Sequence, residues 1–154
     1  MFSKLLPQRV DNTYDGHWLA LWIFALIVSM KILQSLLVIF NGQFVLSSAD
    51  GIPLDTYTPA GAETVIAAWA LLGLSRLIVF MLCVLVLARY RSAIPFMFVV
   101  IALDFLGAQL ILHFIPLIRT GTPPGPFVNR VLFGLAIVGL VLSLSRKGDR
   151  LVES

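Results

Sequence analysis

The chain has 154 residues, 59% of them apolar and 12% charged, with a formal net charge of +3. Soluble domains run at roughly 45–50% apolar and about 25% charged, so a water-soluble globule of this size would have to hide more apolar surface than its interior holds. The composition excludes an ordinary cytosolic enzyme, a disordered tail and a nucleic-acid-binding domain, since the basic residues sit at the ends of apolar runs and not on one soluble face. The single cysteine, Cys83, allows neither an internal disulfide nor a zinc cage.

A bilayer core about 30 Å thick needs a crossing helix of roughly 20 apolar residues. Four stretches qualify: residues 18–40, 64–88, 94–118 and 127–145. None alternates with period two, as barrel strands would, and none has the polar face of a soluble helix. The sequence predicts an all-α membrane protein: one integral domain over residues 1–154, folded as a four-transmembrane-helix bundle. Ser47 and Ala49 follow the first run as a signal cleavage site would. That run is longer than the usual signal core of about 7–15 residues and contains Lys31, which argues against removal.

Lys4 and Arg9 precede span one, Arg89 and Arg91 lie between spans two and three, and Arg146, Lys147 and Arg150 follow span four. The other side has Arg119 and Arg130, and residues 41–63 contain no Lys or Arg. This asymmetry predicts cytoplasmic N and C termini and an extracytoplasmic loop over 41–63. Trp18, Trp22, Tyr14, Tyr57 and Tyr90 flank span ends, as in an interfacial aromatic belt.

The two outer loops share a pattern. Thr56-Tyr57-Thr58-Pro59-Ala60-Gly61 and Thr120-Gly121-Thr122-Pro123-Pro124-Gly125 both read Thr-x-Thr-Pro-x-Gly before a span. Either two helical hairpins are duplicated halves, related by an axis along the membrane normal, or Thr, Pro and Gly are simply common in turns that start helices. Gly51-Ile52-Pro53 breaks the longer first loop and marks it as the place for a small structured cap.

Three charged residues fall deep inside spans: Lys31, Arg76 and Asp104. Each costs about 2.5–3.5 kcal/mol at a helix centre on insertion scales, and such groups face other helices and pair. A short turn makes spans two and three antiparallel neighbours. Counting from that turn puts Arg76 and Asp104 within a few Å of the same depth at a rise of about 1.5 Å per residue. They are expected to form a bidentate salt bridge, with Lys31 at a similar level. Gln34 and Ser35 share the Lys31 face. Gly73, Gly107 and the span-four stripe Ala136, Gly139 and Ser143 are the expected sites of close helix approach. Gln109 lies on a second polar edge of span three. His113, with Glu63, Arg119 and Arg130, forms either a second, outer polar pocket or a set of interfacial side chains reaching water.

His17 and His113 lie near opposite surfaces, so the chain cannot hold a bis-histidine haem, and no phosphate, dinucleotide or zinc motif occurs. The sequence calls for no metal and no cofactor. Leu5-Leu6-Pro7-Gln8-Arg9, Asp11-Asn12-Thr13-Tyr14, Ala20-Leu21-Trp22 and the segment SSADGIPLDTYTPAGAE (47–63) resemble uncharacterised small four-span bacterial membrane proteins. That resemblance implies the bacterial inner membrane and four helices, and no activity. Small multidrug efflux proteins have an acidic residue in the first span where this chain has Lys31, so their function does not carry over. The expected role is a non-catalytic accessory subunit or self-associating bundle. Its partners would be membrane lipid and a protein partner or second copy, with no nucleic acid. A small oligomeric transporter or channel using Lys31 and Arg76 for an anion or proton is the alternative. A membrane enzyme at the outer pocket is a third reading.

Overall fold

The computed structural model describes residues 11–145. Lys4, Arg9, Arg146, Lys147 and Arg150, which carry most of the expected charge asymmetry, lie outside the described residues. The described chain is helical, with no strand, and four helices are long and apolar enough to cross a membrane. These are α1 (Trp18–Phe40), α3 (Pro59–Arg89), α4 (Ile94–Phe114) and α5 (Pro124–Leu144); the short α2 (Gly42–Phe44) follows α1. The protein is an all-α, multi-pass membrane protein. Side chains such as Trp22, Leu71, Ile111 and Val141 are exposed, as a lipid-facing surface requires.

Two helix starts fall earlier than the sequence reading placed them. Helix α3 opens at Pro59, not at residue 64, because proline at the first helical position costs no hydrogen bond. The Thr58 side chain caps it by accepting from the Gly61 N–H at 3.2 Å. Helix α5 likewise opens at Pro124 and not at 127. Helix α4 stops at Phe114, short of residue 118. Pro116 forces the residue before it out of the helical region, and Ile115 has φ −124° and ψ 80°.

Packing runs in the order α3, α1, α5, α4, while α3 and α4 barely touch. Helices α1 and α3 approach closely at Gly73, where an added Cβ would lie 3.3 Å from Ile39, Val38 and the Ser35 carbonyl. Helices α4 and α5 meet at Gly139, where a Cβ would sit 2.4 Å from the Phe98 ring. Ala136 and Ser143 are buried on the same stripe. Gly107 packs against nothing: no atom lies within 4 Å of an added Cβ. The expected helix contact there fails because α4 turns away from α3. Phe24, Ile27, Phe80, Phe98, Ile101 and Leu132 fill the core between the helices.

Backbone bonds fix both ends. At the end carrying the start of α1, the His17 N–H donates to the Leu142 carbonyl at 3.1 Å. There Ser92, in the turn between α3 and α4, exchanges hydrogen bonds with the Asp11 backbone. At the opposite end the segment after α2 forms a π-helical turn (Val45–Ala49) and a 3-10 turn (Leu54–Thr56), with Leu46 and Ile52 buried. Gly51 has φ +70°, which L side chains rarely adopt. Its carbonyl accepts from both the N–H and the hydroxyl of Thr120, at 2.8 and 3.2 Å, so the two loops clasp each other.

The hairpin halves are not equivalent in packing. An axis relating α1 with α4 and α3 with α5 would make the α1–α5 and α3–α4 contacts alike. The first is extensive and the second is nearly absent.

Candidate functional site

The side where α3 and α4 barely touch is a cleft. A cavity of about 440 Å³ is lined by Lys31 from α1, Arg76 from α3, the Asp104–His113 face of α4, and Asn129 and Arg130 from α5. Arg119, in the loop after α4, also lines it. The midspan charges and the outer polar residues, read from sequence as separate groups, line one cavity. Gln109 and His113 are on its wall and are exposed; the His113 ring stands edge-on to Phe114. Glu63 is exposed on the first turns of α3 and does not line the cavity. Gln34 and Ser35 do not line it either; Ser35 is buried with its carbonyl toward Gly73.

Lys31 is the best-anchored charge. Its residue is 4% exposed, its Nζ donates to Asn129 Oδ1 at 2.8 Å, and it lies 4.4 Å from the centroid of the Phe105 ring. Antiparallel register explains the meeting. His17 bonds Leu142, and fourteen residues along α1 from His17 Lys31 reaches Asn129, thirteen residues back along α5. The amide oxygen and the aromatic face stabilise the ammonium without neutralising it.

The expected Arg76–Asp104 salt bridge does not form. Among the described residues no ion pair within 4.0 Å joins them, and both side chains are exposed in the cleft. The turn at Tyr90–Ala93 makes α3 and α4 neighbours in sequence only, because each packs on another helix. Both charges lie within Coulombic reach of Lys31.

Two further residues belong to the site and escaped sequence reading. Asn129 is the Lys31 acceptor. Asp50, at the end of the π-helical turn, lies within Coulombic reach of Arg119, Arg76 and Lys31. Burial pushes its carboxyl above the ordinary value of 3.8, against the pull of Arg119, then Arg76, then Lys31. Its Oδ1 would lie 2.7 Å from a Cβ at Gly125, next to the start of α5, where a negative charge complements the helix dipole.

The ledger around the cavity is four cations, Lys31, Arg76, Arg119 and Arg130, against the carboxylates of Asp104 and Asp50. Such a surplus beside low-dielectric walls concentrates anions. Among the described residues, no group of three His, Cys, Asp or Glu side chains is placed to hold a metal. Comparison with protein-family models, curated proteins and solved structures gives no match to this chain.

Proposed function

We propose that this chain is a non-catalytic multi-pass membrane protein that works by binding an anionic partner in the α3–α4 cleft. It would serve as an accessory subunit or self-associating bundle of a membrane complex. One observation carries the reading: four basic side chains line a cavity with one carboxylate, Asp104, a second, Asp50, lies within Coulombic reach of three of them, and no ion pair joins these groups among the described residues. Intramembrane charges left this way mark ligand or partner contacts. The test is thermal unfolding of the purified chain with a panel of soluble and lipid-borne anions at constant ionic strength. The reading expects at least one anion to raise the midpoint, and expects Arg76→Gln with Arg119→Gln to abolish that rise. A midpoint indifferent to every anion overturns it.

A second reading, a small oligomeric transporter, is supported by the extent of the cavity, which reaches from Arg119 in a loop to Lys31 midway along α1. Anion flux into reconstituted vesicles that falls in Lys31→Ala would favour it, and unchanged flux would remove it. We also propose a bacterial inner-membrane location with both termini cytoplasmic. The Lys and Arg asymmetry of the sequence supports the orientation, and reporters fused at the two ends should report the same side.

A further inference from the structure

The cleft is chemically two-sided. Its cations are interleaved with Phe105, Ala108, Leu112 and Leu117. A bare oxyanion entering this space would meet the cations but gain nothing from the apolar part of the wall, which offers no hydrogen bonds. An anion carrying its own apolar tail would satisfy both kinds of lining. A path for such a tail exists, because α3 and α4 are joined at Tyr90–Ala93 but barely touch along their length. In a bilayer, a gap between two crossing helices opens toward hydrocarbon.

The charges are also stepped in depth. Arg119 lies beyond the end of α4, and Arg130 is six residues into α5, about 9 Å along its axis at 1.5 Å per residue. Lys31, bonded to Asn129, lies level with neighbouring Arg130. A head group seated near Arg119 could therefore place deeper polar atoms, such as ester carbonyls, toward Arg130 and Lys31. One acidic side chain, Asp50, has its Oδ1 beside Gly125 at the start of α5 and lies within Coulombic reach of Arg119, Arg76 and Lys31, with no ion pair among the described residues. It is a resident carboxylate in competition with any incoming anion.

We propose that the cleft binds the phosphate-bearing head group of an anionic lipid, with the acyl chains leaving between α3 and α4 and Asp50 acting as the built-in competitor. This rests on the reading of the cleft as an anion site. The chemistry it shares with a water-borne ligand is that of the phosphate oxyanion, so the test separates the two sources.

The full chain is purified in neutral detergent and titrated with phosphatidylglycerol, phosphatidylcholine or inorganic phosphate. Binding is read by thermal unfolding and by native mass spectrometry of retained lipid. Phosphatidylglycerol should bind about tenfold or more tightly than phosphatidylcholine, a factor that the net-charge difference readily supplies. The combined Arg76→Gln and Arg119→Gln change should remove that preference. These side chains are exposed or half-buried, so the variant should fold; its unliganded unfolding midpoint checks this. Asp50→Asn should act in the opposite direction and tighten phosphatidylglycerol binding several-fold, a gain that general damage would not produce. Equal binding of the two lipids overturns the proposal, as does weaker binding in Asp50→Asn. Inorganic phosphate binding as well as phosphatidylglycerol overturns the lipid assignment while leaving the anion reading intact. Binding of neither, with no other anion effective, overturns both.

Discussion

Replacing Asn129 with leucine removes the only side-chain oxygen that accepts from the Lys31 ammonium among the described residues. In the native protein that ammonium has one strong acceptor at 2.8 Å and one aromatic face at 4.4 Å, on a residue only 4% exposed. A hydrogen bond to a charged group contributes about 1.5–3 kcal/mol. Breaking a fully buried charge pair costs about 3–5 kcal/mol. The Phe105 face remains in Asn129→Leu, and a cation over an aromatic ring is worth about 0.5–2 kcal/mol. The cleft also admits polar company, so the expected loss is about 2 kcal/mol, toward the lower end of the hydrogen-bond range. The assay is reversible unfolding in mixed micelles for the wild type, Asn129→Leu, Lys31→Met and the double variant. Removing both partners eliminates the stranded charge, so the double variant should be more stable than the two single losses added together, by about 2 kcal/mol. A coupling below about 0.5 kcal/mol would refute the idea that Asn129 is what makes the buried lysine tolerable.

Three further outcomes follow from the packing and the loops. Gly139→Ala should destabilise by about 1–3 kcal/mol through collision with the Phe98 ring. Gly107→Ala, with open space at its Cβ, should be neutral or gain up to about 1 kcal/mol from helix propensity; the same unfolding assay reads both. Gly51→Ala should loosen the clasp with Thr120, because φ +70° strains any L side chain. The expected cost is about 1–2 kcal/mol, with faster amide exchange at Thr120 as the local readout. Asp50 has its folded-state pKa raised by burial, so the native state holds its proton more tightly than the unfolded chain. Its contribution to stability is therefore greatest below 3.8 and declines as pH rises from there through the folded-state value. Asp50→Asn should remove that decline, seen as a variant-minus-wild-type unfolding midpoint that increases with pH across this window; a flat difference would contradict the assignment.

The spans were legible because hydrocarbon demands long apolar runs, and no soluble fold tolerates so many. Their edges were less so. Pro59 and Pro124 look like loop residues, yet each starts a helix, since a proline lacks only an N–H that the first turn would leave unpaired. Ile115 and Ile118 look like span, yet Pro116 between them ends α4. Lys31, Arg76 and Asp104 stood out because charge is rare in such segments, and the structure places all three on one cavity. Their pairing could not be read, since adjacency along the chain suggested an α3–α4 contact that the packing order replaces with α1 and α5. Asn129 sits beside Arg130 near a span start and carries no charge to draw notice. Its meeting with Lys31 depends on the register fixed by His17 and Leu142. Asp50 lies in a loop, and only the folding of that loop brings it near the cations.

The clasp between Gly51 and Thr120 has a mechanical consequence. With Asp11 bound to Ser92 at the opposite end, the molecule is fastened at both extremities while the seam between α3 and α4 is left unbuttoned along its middle. Widening that seam means swinging or bowing a rod of 31 residues, about 46 Å long at the usual helical rise, with no knot untied at either end. Parting α3 from α4 sideways is thus an easier deformation than parting the clasped ends.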